Sequence, residues 1–106
     1  MGLFSFLRGP DIDQGVRDCR DTPGALLLDV RETDEYSAGH IPGSLNIPLS
    51  LLPMRCAELG ERDRALFVYC LSGARSAQAA SYLQGQGFVN AKNIGGISAY
   101  SGKVER

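Results

Sequence analysis

The sequence has no tryptophan, a single histidine (His40), and three cysteines with no Cys-x-x-Cys spacing. Each scarcity removes a class of function. A structural zinc site takes about four nitrogen or sulfur ligands. One imidazole and three scattered thiols, Cys19, Cys56 and Cys70, do not supply them at usable spacing, so no metal is expected. An odd, widely spaced set of cysteines does not read as a disulfide framework either, and a reducing compartment, the cytoplasm, is the expectation. A dithiol oxidoreductase is disfavoured because no resolving cysteine lies near Cys70 in the chain. Eleven Lys and Arg against twelve Asp and Glu leave a net charge of −1. That excludes the one-signed field expected of a nucleic-acid or anionic-membrane binder. No apolar run approaches the ~20 residues of a membrane span. The cluster Leu3, Phe4, Phe6 and Leu7 is also shorter than a signal-peptide core of ~7–15 residues. Gly2 invites N-myristoylation, but Phe6 stands where that motif wants Ser or Thr. Residues 1–10 are therefore read as an amino-terminal segment, and 11–106 as one domain, since 106 residues suffice for one core and hardly two.

What is present alternates between helix and strand signals. Asp11 to Arg20 reads as a helix capped by Asp11, with Ile12, Val16 and Cys19 on one face. Ala25 to Val30 is a near-continuous apolar run, the mark of a central parallel strand covered on both faces, with Asp29 its polar exception. A short helix is expected from about Arg31 to Tyr36, a turn over Gly39–Ser44, and a brief strand at 45–47. A helix over 49–59 should tolerate Pro53 in its first turn and stop at Gly60. Ala65 to Tyr69 is the second strong strand, Ser76 to Gln86 a helix, and Val89 to Ile94 a last strand. Gly95-Gly96 reads as a turn, Ile97 to Tyr100 as a helical turn, and the polar tail to Arg106 as frayed. The pattern predicts an α/β fold of three layers, a small, mainly parallel central sheet flanked by helices. In such sheets ligands bind at the carboxyl ends of the strands, where Asp29 and Cys70 both fall.

Cys70 follows the second strand at once, and Ser72 and Gly73 turn the chain into the next helix. Only the thiolate is a good nucleophile, and an ordinary cysteine is mostly thiol at neutral pH. A helix amino terminus offers unpaired N–H groups and the positive end of the macrodipole. Gly73 lets the loop curl, and Arg75 brings a permanent charge close by. Together these should hold an anion on or beside Cys70: a thiolate, a persulfide or a substrate oxyanion. The bland alternative is a packed structural cysteine at a strand end. Four residues separate Cys70 from Arg75. Cysteine-dependent phosphatases and arsenate reductases space the two by one residue more, so this loop is sized for a single sulfur rather than a tetrahedral phosphate.

Cys-x-x-Gly-x-Arg-Ser at 70–76 resembles the active loop of the rhodanese (sulfurtransferase) family. Leu28-Asp29-Val30-Arg31-Glu32, Glu35-Tyr36 and Gly39-His40-Ile41-Pro42-Gly43-Ser44 with 45–48 resemble that family's amino-terminal motif, and 93–100 resembles its closing Gly-Gly segment, with Tyr100 where many members carry Trp. The resemblance implies a rhodanese-like fold and a double displacement without a cofactor. Cys70 takes the outer sulfur of a donor such as thiosulfate as a persulfide, then passes it to cyanide, a small thiol or a thiol protein. The loop Leu71, Ser72, Gly73, Ala74, Arg75 and Ser76 would bind the sulfur. Asp29, Arg31 and His40 would form a supporting network that fixes nearby turns rather than an acid–base pair. The sequence departs at Leu71, where many thiosulfate-using members place a basic residue, which leaves Arg75 as the loop's one fixed charge. Two other readings are a non-catalytic sulfur carrier serving a protein partner, and a cysteine-dependent phosphatase or arsenate reductase, which the short loop disfavours.

Overall fold

A computed structural model describes residues 9–106; the expected segment 1–10 therefore lies largely outside the described residues, as does the Gly2 motif. Four strands form one parallel sheet: β1 (Leu26–Asp29), β2 (Leu45–Asn46), β3 (Leu66–Cys70) and β4 (Ala91–Gly96), in the order β2-β1-β3-β4. Alternation along the two central strands sorts their side chains onto opposite faces. Leu28 of β1, with Leu66, Val68 and Cys70 of β3, packs with Leu52, Ala79 and Leu83 of the helices on one side. Leu27, Phe67 and Tyr69 pack on the other side with Ile12, Val16 and Cys19 of helix α1 (Ile12–Asp21). Because both faces are covered, the central strands read as unbroken apolar runs. Helix α4 (Ala74–Gly85) lies on the Cys70 face, where buried Ala79 and Ala80 allow it close to the sheet. Asp11 caps α1 by accepting a hydrogen bond from Gln14 N at 3.3 Å, as expected.

Four expectations are corrected. The 49–59 segment is not one helix: a 3-10 turn (Leu49–Leu51) leads into α3 (Leu52–Arg55), and a second 3-10 turn (Cys56–Leu59) ends at Gly60. Pro53 has no N–H to give Leu49 O, so the chain there closes tighter bonds, Leu51 N to Pro48 O at 2.8 Å among them. Helix α4 starts at Ala74, two residues before Ser76. Gly95-Gly96 is not a turn but the end of β4, which pairs Tyr69 with Gly95 and Cys70 with Gly96 after a register shift that passes over Ile94. The tail is exposed but not frayed at Glu105, whose backbone exchanges two hydrogen bonds with His40, at 2.8 and 2.9 Å. Helix α2 (Thr33–Ala38) spans the gap between β1 and β2. No helix among the described residues is long and apolar enough to cross a membrane.

Candidate active site

Cys70 ends β3 with its side chain toward α4, so its sulfur lies over the helix's first turn. Gly73 N donates to Sγ at 3.1 Å and Ser76 N at 3.3 Å. Gly73 reaches that position at φ 103°, a region L side chains rarely adopt, which is why glycine is needed there. Cys70 is only 1% exposed. Burial alone would raise the thiol's pKa, but hydrogen bonds from the Ser76 hydroxyl and the backbone N–H of Ser76, Gly73 and Ser72 outweigh it, and the thiol titrates below its ordinary value. Ser76 Oγ lies 3.3 Å from Sγ and 2.6 Å from Asn93 Oδ1. A hydroxyl has one proton. It points to Asn93, the nearer acceptor, while Cys70 is a thiol, and a thiolate competes for it.

Asn93, which the reading of the residues did not single out, straps the loop to the sheet. Its Oδ1 accepts from Gly95 N at 2.9 Å and its Nδ2 donates to Gly73 O at 3.2 Å. The bulge in β4 sets this amide beside the loop. Its sequence signal is its place at the head of the 93–100 segment, just ahead of Gly95-Gly96. A side chain at Gly96 would overlap the Leu71 carbonyl oxygen and Ser72 Cα. Glycine there lets the loop rest on β4, where Ser98 N donates to Leu71 O at 3.1 Å. Leu71 itself is 45% exposed at the mouth of the loop.

Arg75 differs from expectation. Its guanidinium forms a two-pronged pair with Glu35 of α2, Nη1 to Oε1 at 2.7 Å and Nη2 to Oε2 at 3.0 Å, and its charge still acts on Cys70. The Arg75 hydrogen bond holds the Glu35 carboxyl far down, at about 2. Asp29 and Arg31 come together as a buried pair, Nη2 to Oδ2 at 2.7 Å, and Arg31 also donates to Gly39 O at 2.8 Å. His40 does not join them through its ring. It stacks on Tyr36 at 3.7 Å between centroids, with Nδ1 2.9 Å from Tyr36 O. Among the described residues no cluster of His, Cys, Asp and Glu could hold a metal. A cleft lined by Thr22, Gly24, Arg64, Ala65 and Asn90 lies at the strands' amino ends and includes none of these residues.

Comparison with known proteins fits this geometry. The family model described as a rhodanese-like domain matches residues 14–103. A sulfurtransferase of Allochromatium vinosum is 44% identical over 82 residues, 76% of each chain. A Bacillus subtilis protein named as a sulfur carrier is 42% identical over 80 residues, 74% of this chain and 43% of that protein. Among solved structures, a rhodanese-like domain from Anabaena superposes with a TM-score of 0.73 at 30% identity, covering 80% of this chain and 84% of that one.

Proposed function

From the fact that the chain belongs to the rhodanese-like domain family, we propose that it moves sulfane sulfur through a persulfide on Cys70. The observation that carries this is the sulfur cradle itself, Gly73 N, Ser76 N and Ser76 Oγ converging on Sγ. The Cys70 thiolate attacks the donor's outer sulfur, the donor's S–X bond breaks, and X leaves with the electron pair. With thiosulfate X leaves as sulfite; with a thiol persulfide it leaves as thiolate. The new outer sulfur is anionic. Among the first N–H groups of α4, which have no partner within the helix, those of Ala74 and Arg75 stay available to it once Gly73 and Ser76 serve Sγ. A thiophile such as cyanide or a thiol then takes the outer sulfur, and the covalent intermediate splits one transfer into two easier ones. No general base is required, because the cradle already favours the thiolate. Asp29 with Arg31, and His40 with Tyr36, hold the turns around the loop.

Thiocyanate release from polysulfide and thiosulfate tests this. Cys70→Ser removes it entirely, and Arg75→Ala, which leaves the Glu35 carboxylate unpaired beside the loop, weakens it with an unchanged circular dichroism spectrum. Full activity in Cys70→Ser would sink the reading. A carrier role is the second reading, favoured by the B. subtilis relative and by apolar Leu71 exposed beside the cysteine. It predicts slow turnover of small donors but fast sulfur loading from a protein persulfide. The three free cysteines suit a reducing compartment such as the cytoplasm.

A further inference from the structure

The charges around the loop cancel in pairs. Arg75 is taken by both oxygens of Glu35, and Arg31, at the end of the neighbouring strand, is taken by buried Asp29. Neither cation meets an incoming anion with its charge unpaired. Glu32 and Asp34 add acidic charge on the Glu35 side, and Glu32 is near enough to act on Arg75. The residue after Cys70 is uncharged Leu71. What remains for a substrate is backbone N–H dipoles and one hydroxyl, a cradle fitted to one anionic sulfur and not to a second charge beyond it.

We infer that Glu35 is a specificity-determining residue that acts through Arg75: by neutralising it, Glu35 turns the Cys70 loop away from dianionic donors such as thiosulfate and toward the persulfides of thiols. This rests on the sulfur-transfer reading above. Both donors make the same bond, Cys70 Sγ to the outer sulfur. From thiosulfate a sulfite dianion must leave, and its sulfonate oxygens need a cation to face. From a thiol persulfide the leaving thiolate carries a single charge. Coulomb energy scales with the charge product, so a freed Arg75 attracts thiosulfate twice as strongly as a monoanion at the same distance.

The test compares Glu35→Gln with the wild type on two donors, thiosulfate and the monoanionic persulfide of 2-mercaptoethanol, with cyanide as acceptor. Glutamine keeps the side chain's shape and an oxygen for Glu32 N, which Glu35 Oε1 now accepts at 2.9 Å. The expected result is a rise of about tenfold in kcat/KM for thiosulfate, carried by KM, and of about threefold for the monoanionic persulfide, since half the Coulomb energy gives the square root of the factor. The gain shrinks in ~1 M salt, where the screening length falls to about 3 Å, and disappears when Arg75→Gln is added. A merely structural role for Glu35 would move both donors by the same factor. Leu71→Arg, which leaves the Glu35–Arg75 pair in place, gives an independent arm and also lowers KM for thiosulfate. Sulfur transfer from the persulfide with thiosulfate unmoved in Glu35→Gln overturns this inference alone, whatever Leu71→Arg does. No transfer from either donor, in any variant, overturns the transferase reading and this inference with it.

Discussion

Ser76 is the residue on which the reactivity of Cys70 turns. Its backbone and its hydroxyl both reach Sγ, and the hydroxyl is the largest of the influences that lower the thiol's pKa against burial. Ser76→Ala removes one hydrogen bond to a charged sulfur, worth about 1.5–3 kcal/mol, part of which the hydroxyl already gives to Asn93. The midpoint of iodoacetamide alkylation against pH should move up, and the rate at neutral pH should fall about tenfold. An unmoved profile would show that the backbone alone sets the thiolate. At this scale the sequence was legible for Cys70, Gly73 and Ser76, because strand end, glycine and helix start are adjacent in the chain. It was not legible for Arg75. Its partner lies 40 positions away, and only the packing of α2 beside the loop decides that the guanidinium pairs with Glu35.

At the scale of elements, the loop is stable because β4 is irregular. The strand's register shift and its two final glycines make a floor that the loop lies on, and Asn93 ties the two together. Asn93→Ala leaves Gly95 N and Gly73 O without their side-chain partner, a cost of about 1–3 kcal/mol. The melting temperature should drop by roughly 4–8 °C per kcal/mol for a domain of this size, and alkylation of Cys70 should slow. A variant equal to wild type in both would remove the strap from the account. The central strands and α1 were readable from apolar runs and periodicity. The reading failed where a local pattern has two outcomes. Gly95-Gly96 suits a turn or a bulged strand end, and pairing with β3 selects the second. Pro53 is tolerated in a helix's first turn but breaks the longer helix that the apolar spacing suggested.

At the scale of the whole molecule, the two ion pairs differ in reach and exposure: Asp29–Arg31 ties the end of β1 to the turn at Gly39, and Glu35–Arg75 joins α2 to the active loop. Asp29–Arg31 is buried, while Glu35–Arg75 is about one-third exposed, so solvent discounts its contribution to stability. Glu35 titrates at about 2 in the folded chain against an ordinary 4.5. A depressed carboxyl stabilises the fold above its unfolded pKa, and the contribution fades as pH falls from about 4.5 through about 2. Thermal midpoints at pH 7 and pH 2 should therefore lie closer together in Glu35→Gln than in wild type. An equal gap would mean that the pair does not stabilise the fold. The alternation of elements made the overall architecture legible. The antiparallel bridge between His40 and Glu105 was not, since nothing local in a polar tail marks the turn it will pair with.

The central claim is that sulfur rides on Cys70. Intact-protein mass spectrometry tests it most directly, on wild type and Cys70→Ser, after polysulfide or thiosulfate and again after cyanide. The account predicts a gain of one sulfur in wild type, more readily from polysulfide, that cyanide removes and the variant never shows. A folded wild-type protein that gains no sulfur from any donor, or a Cys70→Ser variant that gains it equally, would contradict the account.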